Sequence, residues 1–192
     1  MKKLYIIAGC NGAGKTTASY TILPEILDCK EYVNADEIAK GLSPFRPEKA
    51  SIQAGKLMLT RIKNLISEGE NFAFETTLST RSYTQLIKQA KEKGFEVYLL
   101  FFWLHSSQLA VERVRVRVLE GGHNIPNDVI LRRYENGLRN LFNLYLPIVD
   151  QWFLIDNSGE PYEVIAENLE GELNVYDRGT WNKLKQNYHE KD

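Results

Sequence analysis

Eight consecutive residues carry the clearest chemistry in the chain. Gly9-Cys10-Asn11-Gly12-Ala13-Gly14-Lys15-Thr16 fits the pattern G-x-x-x-x-G-K-[ST] and follows an apolar run over residues 4–8, the setting in which this spacing closes a loop around phosphate. Glycines let the backbone turn its N–H groups inward where side chains would obstruct. Lys15 would reach the β- and γ-phosphates as a point charge, Thr16 would offer its hydroxyl to Mg²⁺, and the helix starting there would add its positive dipole end. The expected nucleotide-binding set is Gly9, Asn11, Gly12, Ala13, Gly14, Lys15, Thr16 and Thr17, and the expected ligand is ATP or GTP with Mg²⁺.

Phosphoryl transfer also needs a group to orient the nucleophile, an acid to organise the metal, and positive charge around the transferring group. Asp36, Glu75 and Asp156 each sit where an apolar run ends. Glu75 and Asp156 are level as the acid that holds Mg²⁺ directly or through water. Asp36, opening the element after the second run, suits a general base, although any strand-end acid can equally be a helix N-cap. Arg81 is a candidate for substrate contact. Arginines 113, 115, 117, 132, 133 and 139 flank Gly121-Gly122-His123 and read as a lid over residues 113–133. Arg113 and Arg117 share a helical face at i, i+4. Arg117 and one of Arg132 or Arg133 are assigned to phosphate, Arg139 to the surface, and His123 to the structure of its loop.

The elements that must hold these groups alternate. Residues 4–8, 31–34, 71–77, 97–104 and 152–156 read as strands, and stretches ending near Leu23, at 48–67, 81–93 and from Asn127 to Pro147 read as helices. Pro24 and Pro147 are expected to end theirs, and Asn127 to cap its own. Residues 111–118 alternate apolar and polar like a strand, yet Ser106 or Ser107 as cap, the Gly121-Gly122 stop and the crossover pattern argue for helix. After Pro161 the expectation is a helix at 164–168, a strand at 173–175 and a polar tail over 176–192. The order predicts an α/β P-loop NTPase fold, a mostly parallel sheet flanked by helices with a helical lid, as one domain over 1–192.

With 192 residues, 43% hydrophobic, the chain can bury a substantial core. A formal net charge of −1 offers no global field for nucleic acid or an acidic membrane. The run at 4–8 is shorter than a signal-peptide core, and no stretch approaches the ~18 apolar residues of a membrane span. Only Cys10 and Cys29 occur, one inside the phosphate loop, which points to a reducing cytoplasm. Asp156-Asn157-Ser158-Gly159 matches D-x-x-G, but no N-K-x-D follows to read guanine. A nucleotide-dependent switch is therefore the weaker reading, and a metabolic kinase for a nucleoside, shikimate-like or sugar acceptor is the alternative within the class.

Several segments together resemble the zeta-toxin family of P-loop kinases, particularly its short bacterial members. They are the phosphate loop, Asn34-Ala35-Asp36-Glu37-Ile38-Ala39 with Gly41-Leu42-Ser43-Pro44, Phe74-Glu75-Thr76-Thr77-Leu78-Ser79, and Arg117-Val118-Leu119-Glu120-Gly121-Gly122-His123-Asn124-Ile125-Pro126 leading into Ile130-Leu131-Arg132-Arg133-Tyr134. The resemblance implies Asp36 as base for an acceptor hydroxyl, Glu75 with Thr76 at the metal and substrate, and Arg117 and Arg132 on the nucleotide phosphates. It also implies a small-molecule acceptor such as the nucleotide sugar UDP-N-acetylglucosamine, and an antitoxin protein as a partner to look for.

Overall fold

The computed structural model describes residues 2–122 and 124–190; the reading of His123 lies outside them. One seven-stranded sheet runs through the molecule in the order β2-β3-β1-β4-β5-β6-β7. The strands are β1 (Lys2–Gly9), β2 (Glu31–Val33), β3 (Phe72–Thr76), β4 (Phe95–Trp103), β5 (Gln151–Asp156), β6 (Glu163–Leu169) and β7 (Glu172–Val175). The first five strands in chain order pair in parallel, and β6 and β7 extend the sheet antiparallel. β1 and β4 are near-continuous apolar runs because helices cover both faces; Leu4, Ile6, Ala8, Val97 and Leu99 have no exposed surface.

Helices α1 (Lys15–Thr21), α2 (Ala35–Leu42), α3 (Pro47–Glu68), α4 (Tyr83–Glu92), α5 (Ser107–Leu119) and α6 (Asn127–Asn140) connect the parallel strands, and α7 (Arg178–Tyr188) follows the sheet. The alternating stretch at 111–118 is helical. Ser106 Oγ accepts from the Leu109 amide at 3.2 Å, and Ala110 and Val114 supply the buried stripe. Chain order steps from β1 outward to β2, back to β3, then across to β4. The crevice at this reversal, at the carboxyl ends of β1 and β3, is where open α/β sheets hold ligands.

Four expectations need correction. Residues 164–168 form strand, not helix: the free edge of β5 takes Ala166 opposite Leu154 and Glu167 opposite Phe153, a pairing that overrides local preference. The tail beyond Tyr176 contains α7, capped by Asp177 and anchored by Trp181, whose ring stacks on Trp152 at 5.6 Å. Pro24 does not end its helical path, which widens into a π-turn over Ile22–Ile26; the same happens at Leu141–Tyr145 before Pro147. Asn127 is the first helical residue, and Pro126 is the cap, with its carbonyl accepting from Val129 and Ile130.

Candidate active site

The phosphate loop joins β1 to α1. Gly9 has φ +141°, and any Cβ there would collide with the Phe102 carbonyl oxygen, so the loop leaves the sheet at a point where only glycine fits against β4. Gly14 has φ +79° and lies against the Asn157 side chain, whose Nδ2 donates to the Ala13 carbonyl at 2.9 Å. Arg113 in turn donates to the carbonyls of Asn157 at 2.8 Å and Ser158 at 3.0 Å. The turn after β5 is thus a brace for the phosphate loop. Asp156 belongs to it, accepting from the Ser158 amide at 2.8 Å, a local turn bond rather than a contact with Thr16.

Of the two acids, Glu75 is the one that lies beside the phosphate loop. Parallel pairing sets Ile7 opposite Glu75 and Ala8 opposite Thr76, which delivers the carboxylate beside the loop that follows β1. Its Oε2 accepts from Thr16 Oγ1 at 2.8 Å, Tyr32 OH at 2.5 Å and Asn34 Nδ2 at 3.1 Å. Its Oε1 stands 3.5 Å from Lys15 Nζ, which also donates to the Cys10 carbonyl at 2.9 Å. Lys15 is only 5% exposed, so each member of this ion pair depends on the other for compensation. Burial, then the neighbouring Glu75 charge, pushes the Tyr32 phenol far above its ordinary range, so Tyr32 remains a donor to the carboxylate.

The donor set suits a hydrated magnesium ion. Thr16 gives its proton to Glu75, which leaves its oxygen lone pairs available, while Glu75 Oε2 already has three donors. Among the described residues no group of three or more His, Cys, Asp or Glu side chains could hold a metal. Mg²⁺ ordinarily keeps several waters and takes substrate phosphate oxygens with one or two protein ligands, and Thr16 with Glu75 matches that requirement.

Asp36 lies exposed on the first turn of α2, its amide donating to Asn34 Oδ1 at 2.8 Å. On the other side of the loop, Arg133 Nη1 donates to Asn11 Oδ1 at 3.1 Å. Burial lowers the Arg133 pKa, the Asp36 charge opposes that shift and Arg132 adds to it. Arg132 is exposed, and the arginine that α6 turns to the loop is Arg133. Arg117 is half-buried one turn beyond Arg113. Arg81 and Thr17 are exposed; Thr76 is buried with its Oγ1 accepting from the Leu78 amide at 3.1 Å. Beyond Thr76, α6 holds the chain closely: Asn140 donates to the Leu78 carbonyl, and Gly137 leaves room for the Thr77 carbonyl.

Sequence reading missed the supporting residues Tyr32, Asn34 and Asn157. Asn34 carried a signal, an Asn immediately before an acidic first helical turn, which marks an N-cap. Nothing local marked Asn157, whose partner lies 144 residues away in sequence. A wide cavity of about 940 Å³ lined by Lys2, Asp28, Glu70 and Gly94 lies at the opposite, amino-terminal end of the strands and contains none of these groups.

The zeta toxin family model matches residues 1–170. An uncharacterized protein of Haemophilus influenzae is 31% identical over 140 residues, 69% of this chain and 98% of that protein. The AvrRxo1-ORF1:-ORF2 structure with ATP superposes with a TM-score of 0.77 at 19% identity, covering 100% of this chain and 66% of that one; the chain thus spans just under two thirds of that protein. A structure of the PezAT toxin–antitoxin system of Streptococcus pneumoniae gives 0.68 at 19% identity over 100% of this chain and 80% of that one. A gluconokinase from Sinorhizobium meliloti gives 0.53 at 16% identity over 82% and 83%. The matched family model and the arrangement of sheet and phosphate loop agree: the chain belongs to the zeta toxin family and has the fold of P-loop phosphotransferases.

Proposed function

We propose that the protein transfers the γ-phosphate of ATP or GTP to a hydroxyl of a small molecule. The observation that carries this reading is the convergence of Lys15, Thr16 and Glu75 at the phosphate loop, with Asp36 exposed beside it and Arg133 facing it. Asp36 takes the proton of the acceptor hydroxyl as its oxygen bonds to the γ-phosphorus and the bond to the β–γ bridging oxygen breaks, releasing the nucleoside diphosphate. Lys15 and Arg133 offset charge on the transferring group, joined by Arg117 from the lid helix. Bound Mg²⁺ would supply further charge neutralisation, and Thr16 with Glu75 are the residues that would hold it. Thr76 and Arg81 are assigned to the acceptor side.

The acceptor class proposed is a nucleotide sugar, with UDP-N-acetylglucosamine the first compound to test; it comes from the family resemblance of the segments around Asp36 and Glu75. An antitoxin partner is supported by the PezAT relative, a toxin–antitoxin system. Among the described residues no helix is long and apolar enough to cross a membrane, and two buried free cysteines suit a reducing cytoplasm. The test is incubation with MgATP and UDP-N-acetylglucosamine followed by ³¹P NMR. A new sugar phosphomonoester resonance supports the full reading, and its absence beside turnover of another acceptor redirects the substrate class alone.

A further inference from the structure

Asp36 and Glu75 stand on different elements, the first turn of α2 and the end of β3. We propose that Asn34 is a positioning residue that ties the Glu75 carboxylate to the turn carrying Asp36 through one side-chain amide bonded at both ends. Its bearing on the reaction rests on the roles given above to those two acids.

Asn34 is 5% exposed and lies between β2 and α2. Its Oδ1 caps the helix, accepting from the Asp36 amide at 2.8 Å and the Glu37 amide at 3.4 Å. Its Nδ2 faces the other way, donating to Glu75 Oε2 at 3.1 Å and to Tyr32 OH at 3.2 Å. Among the residues favoured at an N-cap, Asn alone joins an acceptor to an NH₂ donor on one rigid planar group. An Asp would cap α2 equally well and would also suit its positive end, but it would set a second carboxylate against Glu75. A Ser would cap and fall short of Glu75. The donor half of Asn34 therefore has a use that capping does not require. It fixes Oε2 toward α2 while Oε1 stays toward Lys15, so a shift of α2 would move the metal-organising carboxylate with the base.

Two measurements on the intact chain test this. The first needs no ligand: melting temperatures of the native chain, Asn34→Asp, Glu75→Gln and the double variant. Asn34→Asp is expected to melt lower by roughly 3 °C or more. The double variant should lose less than the sum of the two single variants, because Glu75→Gln removes the carboxylate charge that the Asn34→Asp side chain would oppose. A single Asp variant at or above the native melting temperature, with additive effects in the double variant, would show a cap and nothing more, and would overturn the proposal. The second uses N-methylanthraniloyl-ADP with and without MgCl₂. Asn34→Ser should bind the metal-free probe as the native chain does and lose threefold or more of the gain in affinity that Mg²⁺ confers. An unchanged Mg²⁺ gain would remove the positioning role. A native chain showing no Mg²⁺ gain would contradict the functional reading instead, and the melting cycle would still decide whether Asn34 holds Glu75.

Discussion

The Thr16 hydroxyl donates to Glu75 Oε2 across 2.8 Å, joining the end of the phosphate loop to the end of the adjacent strand. This bond separates two acids that look equivalent in sequence. Glu75 and Asp156 both close apolar runs, but only β3 is the immediate parallel neighbour of β1 on the side where Thr16 emerges. Replacing Glu75 with Gln should keep the hydrogen bonds from Thr16 and Tyr32 while removing the charge that compensates Lys15. Transfer should fall by about 10²-fold or more, and Asp156→Asn should change turnover by less than roughly threefold, its carboxylate being engaged in a local turn. Steady-state rates for the two variants check this.

Asp36→Asn should abolish transfer while leaving the nucleotide affinity within about twofold, because Asp36 is exposed on α2 and the bonds to the phosphate loop come from other residues. Equilibrium binding of MgATP alongside turnover separates the two effects. Unchanged turnover would remove Asp36 as the base.

Arg133→Ala should weaken MgATP binding or transfer about tenfold, since its guanidinium faces Asn11 of the loop and a charge-assisted contact in a partly dry site is worth about 1.5–3 kcal/mol. Arg132→Ala should be within about twofold of native. The opposite ranking would show that α6 rotates on binding.

Trp181→Ala should cost about 3–5 kcal/mol, the range for deleting a large buried aromatic, because its ring stacks on Trp152 and packs against Phe142. Chemical denaturation measures this. Nucleotide affinity should not change in the folded fraction, since α7 packs at β6, three strands along the sheet from β1.

Burial pushes the Cys10 thiol up to about 11. A thiol with a raised folded pKa contributes its stability below the unfolded pKa, near 9, and loses it as pH rises through the folded value. Cys10→Ala should therefore flatten the part of the melting-temperature decline between about pH 9 and 11 that this thiol causes. In the native chain at about pH 8, alkylation of Cys10 should be slow, which mass spectrometry of iodoacetamide-treated protein can follow.

The phosphate loop, the parallel sheet and the helical nature of 111–118 were legible because each rests on local spacing: glycines at turns, apolar runs, and caps such as Ser106. Residues 164–168 were misread because a short stretch flanking an exposed strand edge takes its conformation from that edge, and α7 was missed because only Trp181 and Leu184 are buried in a polar helix. At the site, the contact between Arg133 and Asn11 depends on how α6 is rotated over the loop, which a pair of adjacent arginines cannot reveal. That Glu75 rather than Asp156 lies beside Thr16 depends on strand order, a long-range property.

The most direct measurement of the central claim is mass spectrometry of a pool of nucleotide sugars, nucleosides and simple sugars incubated with MgATP and either the native chain or Lys15→Ala. One acceptor class should become heavier by a single phosphate with the native chain, and none with the variant. Nucleotide binding by the native chain with no acceptor modified and no turnover would contradict phosphoryl transfer, and would favour a nucleotide-dependent switch.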